Sequence, residues 1–168
     1  TVMGYWPEAA LSNTRRWLAQ NVIEGRLSGV DFALRRAAGE APEHALSLDF
    51  DGVALRALQS LPPITEAAGY LSLVGPRLIL RIDEGRIAAP GGGAVALDGS
   101  VMTVPDTRNP GPAARIDLAV AGDLPDVLQL LQEPPVRLFE GGAMTTERLG
   151  RGSATLTAAI DTRLMRQE

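Results

Sequence analysis

The side chains in this sequence that could do chemistry are few and widely spaced. Its one histidine, His44, falls in a loop between Glu43 and Ala45 and reads as solvated. Ser47 follows it but points to the opposite face from Leu46 and Leu48, so no Ser–His nucleophile pair is set up. Asp49-x-Asp51-Gly52 is a fragment of the oxygen-rich loop that binds calcium, without the third carboxylate and the distal Glu. It reads as cap and turn chemistry ahead of a helix. Asp83-Glu84 would be paired carboxylates for acid–base work, yet beside Gly85 they read as turn residues. Gly91-Gly92-Gly93 has neither the spacing of a phosphate loop nor a following helix with Lys or Ser/Thr, and reads as a flexible hairpin connection. With no cysteine, disulfides, zinc–thiolate sites and thiol catalysis are excluded together. The inventory predicts a protein that is not an enzyme, with no catalytic residue, no metal and no cofactor.

The bulk composition points the same way. All 16 basic residues are Arg, and 20 acidic residues leave a net charge of -4, so no basic stripe is available for nucleic acid. Aromatic residues make up only 4% of a chain that is 45% hydrophobic, so the core must be aliphatic. No run approaches the ~20 apolar residues of a membrane-spanning helix. The sequence reads as an excised piece of a longer protein.

The elements that would hold these residues are mostly strands. Ser12-Asn13-Thr14 is good capping chemistry for a short amphipathic helix through Arg15, Arg16, Trp17, Leu18 and Val22, ending near Gly25, with Trp17 as its docking anchor. Its two arginines face water. From Gly25 the period becomes two, with Val30, Phe32 and Leu34 on one side. Gly75-Pro76 predicts a two-residue turn that pairs Leu73 with Leu78 and Leu71 with Leu80. Glu84-Gly85 predicts a second such turn, pairing Ile82 with Ile87 and Leu80 with Ala89 on the same face, while Tyr70, Ser72, Ile79 and Arg81 take the other. Further strands are expected around Val95 to Val101, Ile116 to Val120 and Ala154 to Thr162, and a helix with Asp123 as cap and Pro125 near its first turn. The expected class is mainly β: antiparallel meanders in a curved, repeat-like open sheet of seven to nine strands with two or three short helices.

A longer pattern overlies this one. Leu46 to Ile64 reads as strand, short helix and Pro62-Pro63, and Ile116 to Val136 repeats it 72 positions later. Asp51 then falls on Asp123, Leu55 on Val127, Leu58 on Leu130 and Pro62-Pro63 on Pro134-Pro135. The predicted units are 1–64 and 65–136, with 137–168 starting a third, in an architecture where each unit buries its apolar face against neighbours.

The strands supply more apolar face than the helices can cover. Fully burying one Leu or Ile is worth about 1.5–3 kcal/mol, so such a face must meet another sheet, another chain or an apolar ligand. The candidate ligand face is Leu71, Leu73, Leu78, Leu80, Ile82 and Ile87.

Tyr5-Trp6-Pro7, Arg16-Trp17-Leu18, Asn21 and Gly25, then Asp49-x-Asp51-Gly52-Val53 and Leu61-Pro62-Pro63-Ile64, resemble the large AsmA-like envelope proteins of the YhdP type. The likeness extends through Asp83-Glu84-Gly85-Arg86-Ile87 to about Ser100, and beyond that rests only on repeat style. The resemblance implies a segment of the periplasmic region of an inner-membrane-anchored protein in a Gram-negative bacterium. Such proteins are associated with phospholipid passage between inner and outer membranes along a β groove with an apolar floor. The implied partners are phospholipid acyl chains and neighbouring repeats of the same chain, with no nucleic acid and with membrane contact made by parts outside this segment. The alternative is a non-catalytic structural or envelope-assembly module whose apolar face packs against neighbouring repeats.

Overall fold

A computed structural model describes residues 22–36, 43–56, 62–109, 111–132 and 152–164. The described residues form one antiparallel sheet of eight strands and one helix. The strands are β1 (Val22–Arg35), β2 (Glu43–Leu55), β3 (Ile64–Val74), β4 (Arg77–Ala88), β5 (Ala94–Ala96), β6 (Val101–Val104), β7 (Ala113–Asp123) and β8 (Ser153–Arg163). Helix α1 (Leu124–Gln132) lies between β7 and β8.

The sheet is a meander. β1 pairs β2, β2 pairs β3 and β3 pairs β4. β5 and β6 both pair β4 in one shared register, Ile87 opposite Val95 and Leu80 opposite Met102, so they are two halves of one interrupted strand. Both halves pair β7, and β7 pairs β8 along its whole length. Each strand therefore lies beside its sequence neighbour, with β5 and β6 counted as one, and only the β7–β8 connection carries a helix.

The Gly75-Pro76 turn forms as the sequence predicts. Gly75 takes a φ of 54°, open to glycine at little cost, and the strands it joins pair Leu73 with Leu78 and Leu71 with Leu80. The turn predicted at Glu84-Gly85 does not form. β4 runs straight through it to Ala88, so Ile82 pairs Gly69 rather than Ile87, and Ile87 pairs Ile64 and Val95. The chain reverses later, across Pro90–Gly93, where the Ala89 N–H donates to the Gly93 carbonyl at 2.9 Å.

What stands at Asp83-Glu84 is a bulge. β3 and β4 shift register between Thr65 and Gly69, where Glu66 takes the left-handed φ of 53°. The neighbouring strand is interrupted at the same level: the Ile82 N–H donates to the Ser100 carbonyl, the Gly99 N–H to the Ile82 carbonyl and the Leu97 N–H to the Gly85 carbonyl. On the other side, β2 and β3 shift register between Phe50 and Val53, beside Gly52 with a φ of 56°. Irregularities at Gly52, Glu66, Asp83-Glu84 and Asp98-Gly99 thus line up across four neighbouring strand positions. A bulge bends its strand and increases local twist, so an aligned row bends the sheet along one seam.

Buried side chains fall in two clusters. One joins Leu48, Phe50, Val53, Leu55, Ala67 and Leu71, with Leu78 and Leu80 packed beside it. The other joins Ile82, Ile87, Val95, Leu97 and Val120 to Val127, Leu130 and Leu131 of α1. The helix docks through this apolar stripe. Its opening fits the chain: Asp123 precedes it, Pro125 sits in the first turn, and the Leu124 N–H donates to the Gly152 carbonyl at 2.7 Å.

Three sequence expectations change here. Val22 to Gly25 belong to β1, not to the end of the entry helix, whose anchor Trp17 lies outside the described residues. Asp51 to Leu55 continue β2 as strand, whereas Leu124–Gln132 is helical, so Leu55 and Val127 are not structural equivalents. Gly52 read as a helix approach is a bulge glycine instead. Leu58, Pro134 and Pro135, the remaining partners of that comparison, have at least one member of each pair outside the described residues.

Candidate binding face

The six candidate residues share one face of the sheet. Leu71 stands directly opposite Leu80 and Leu73 opposite Leu78, while Tyr70 opposite Arg81 and Ser72 opposite Ile79 take the other side. Ile82 continues the face along β4. Past the bulge Ile87 returns to it, although five residues separate the two, because the extra residue at Asp83-Glu84 restores the alternation.

Burial divides the six. Leu73 is 0% exposed, and Leu71, Ile82 and Ile87 are buried as well. Ile82 and Ile87 lie in the cluster closed by Val127, Leu130 and Leu131 of α1. Leu78 and Leu80 are only half-buried. The face then extends across β2 through Leu46 and Leu48, which pair Leu73 and Leu71, and reaches β1, where Phe32 stands opposite Leu46. There it opens to solvent: Val30, Phe32 and Leu34 are 52%, 45% and 64% exposed. The sequence showed the alternation of these three residues, but not that β1 would be the outer strand of the described sheet.

Close backbone approach shapes the same face. Gly69 has no room for a side chain, since a Cβ would meet the Arg81 carbonyl and come within 2.8 Å of the Phe50 ring. The buried Phe50 ring therefore covers this glycine from the neighbouring strand. Gly91 and Gly93 serve α1 in the same way: a Cβ at Gly93 would meet the Asp126 carboxylate, and one at Gly91 would lie 2.8 Å from Gln129 Oε1. The glycine run read as a flexible connection is the seat of the helix.

The titratable residues lie elsewhere. His44 is on β2 opposite Leu34, and its carbonyl accepts from Gly75 N–H at 2.8 Å, so it sits in a strand and not in the expected loop. Asp49 and Asp51 project from exposed positions of β2, and Asp51 faces Arg26 at 4.0 Å. A surface depression of about 280 Å³ at that point is lined by Glu24, Gly25, Arg26, Asp51 and Gly52. Asp83 pairs with Arg81 at 2.8 Å and Glu66 with Arg86 at 3.4 Å, both exposed. Asp98 accepts the Gly85 N–H at 3.1 Å, fastening the seam. Among the described residues no group of three or more His, Cys, Asp or Glu is arranged to hold a metal ion, and no helix is long and apolar enough to cross a membrane.

The fold and face define a meandering antiparallel sheet with one apolar side, covered at one end by a helix and open at the other. No family model matches the chain, nor does any curated protein or solved structure.

Proposed function

We propose that the apolar side of this sheet shields phospholipid acyl chains, and that the chain is a segment of an inner-membrane-anchored periplasmic protein conducting phospholipid between the inner and outer membranes. The observation that carries this reading is the continuity of the face from half-buried Leu78 and Leu80, through Leu71, Leu73, Leu46 and Leu48, to the exposed Phe32 and Leu34. The resemblance of Tyr5 to Gly25 and of Leu61-Pro62-Pro63-Ile64 to AsmA-like envelope proteins supplies the compartment and the cargo. No chemistry is needed. An apolar track removes the cost of moving each CH₂ through water, about 0.8 kcal/mol, so acyl chains slide along it instead of crossing the aqueous phase.

A structural module is the second reading, and one observation favours it: around Ile82 and Ile87 the face is already closed by α1. Mass spectrometry of organic extracts from gently purified protein separates the two. Phospholipid at a stoichiometry near one per chain or above supports the track. Lipid-free protein that also fails to take up acyl-chain probes supports the structural module.

A further inference from the structure

We propose that the outer edge of β1 is a self-pairing surface, through which two copies of this chain join as an antiparallel β1–β1 ladder about a two-fold axis at Ala33. Among the described residues β1 pairs only with β2, and no described strand lies along its other edge, whose N–H and C=O groups are a template for another strand. The first half of β1 is a poor template, because its register against β2 shifts at Val22/Glu24, Glu24/Arg26 and Ser28/Asp31, and Gly29 takes a φ of 55°. From Asp31 to Arg35 the register is regular. That regular stretch carries Phe32 and Leu34, and Val30 precedes it, three of the five large hydrophobic residues exposed among the described residues.

Charge identifies the occupant. Asp31 and Arg35 lie on the side opposite Phe32 and Leu34, are four residues apart, and have no ion-pair partner among the described residues; Arg35 stands opposite Glu43 on β2 without pairing to it. When the strand is set antiparallel to a copy of itself about Ala33, Asp31 of each copy faces Arg35 of the other, and Phe32 faces Leu34. Both charge pairs are opposite in sign and formed at once, as an isologous interface requires. The axis is normal to the sheet, so the apolar faces of the two copies join on one side. This inference does not depend on what that face carries.

The absence of cysteine makes the test clean. Residues facing each other in an antiparallel pair have Cα atoms ~4.5–5.5 Å apart, within disulfide range. Ala33→Cys should therefore give a covalent dimer under mild oxidation, whereas Ala159→Cys, an exposed site on β8, should not. A short ladder makes a weak interface, so sedimentation at concentrations up to about 0.5 mM should show a reversible dimer. Asp31→Arg or Arg35→Asp alone should weaken it on the order of tenfold, and the two together should restore it. A monomer throughout this range, whose β1 edge is then left to a different strand or to lipid, overturns the proposal. So does cross-linking no stronger at Ala33→Cys than at Ala159→Cys, or a double variant no better than either single one.

Discussion

Asp106 and Arg108 form a short, bidentate ion pair, 2.7 Å at its closest. Arg108 donates through Nε to Oδ1 at 2.9 Å and through Nη2 to Oδ2 at 2.7 Å, and its backbone N–H reaches Oδ1 at 3.0 Å. The side-chain hydrogen bonds first, then the backbone one, pull the Asp106 carboxyl down from its ordinary 3.8 to about 2; the same side-chain hydrogen bonds, then the Asp106 charge, raise the guanidinium of Arg108. A depressed carboxyl stabilises the loop fully above its ordinary value, and that contribution is lost as pH falls from about 4 through about 2. Carboxyl-detected NMR titration should place the Asp106 midpoint near 2, and Arg108→Ala should raise it part of the way back toward 3.8, because the backbone N–H of residue 108 is kept. At the same scale, neighbouring positions on one face should respond differently to a charge. Ile82 is buried beneath α1, so Ile82→Asp would trap an unpaired carboxylate and cost at least about 3 kcal/mol of stability. Half-buried Leu80 can let an aspartate reach water, so Leu80→Asp should remain folded and abundant. Denaturant melts of the two variants check the contrast, and equal losses would show that Leu80 is as enclosed as Ile82.

Between elements, the seam of bulges decides the shape, and Ser100 shows how it is held. β5 and β7 pair Ala96 with Ala121, whereas β6 and β7 pair Val101 with Asp117, a register one residue out of step. At the step the buried Ser100 Oγ donates to the Ala119 carbonyl and accepts from the Ala119 N–H, both at 3.0 Å. One hydroxyl thus replaces the backbone pair that a regular strand would supply. Ser100→Ala should therefore cost about 1–3 kcal/mol in chemical denaturation, with the amide of Ala119 losing hydrogen-exchange protection first. Unchanged stability and protection would mean that water serves Ala119 as well as the hydroxyl does. This seam also marks where sequence reasoning stopped. The Gly75-Pro76 hairpin was legible because its partners are adjacent in the chain and Pro fixes the turn. Glu84-Gly85 looked the same locally, but Gly85 donates to Asp98, thirteen residues away, and that distant carboxylate holds β4 extended. Gly91-Gly92-Gly93 was opaque for the same reason, since the helix that needs those glycines begins at Leu124. Alternation showed which side of each strand is apolar; which strand would be outermost is set by pairing, and pairing is not written in any one segment.

Across the whole molecule, the apolar side changes character from one end to the other. At β4, β5 and β7 it is roofed by α1 and behaves as an ordinary core, while at β1, the outermost of the described strands, it lies open to solvent. A lipid track and a packed module differ in what touches the middle of that side, around Leu78 and Leu80. In a track an acyl chain occupies this region and the opposite side of the same strand stays in water. The six residues picked out by alternation do fall on one side, but only the pairing and the helix separate Leu78 and Leu80, which can meet a ligand, from Ile82 and Ile87, which meet α1. The most direct measurement is site-specific photo-crosslinking with a photoreactive residue at Leu80 and, as control, at Ile79 on the opposite side. Incubated with a radiolabelled phospholipid, the protein should label strongly at Leu80 and at background level at Ile79. Equal labelling at both positions, or none at Leu80 in folded protein, would contradict the lipid track.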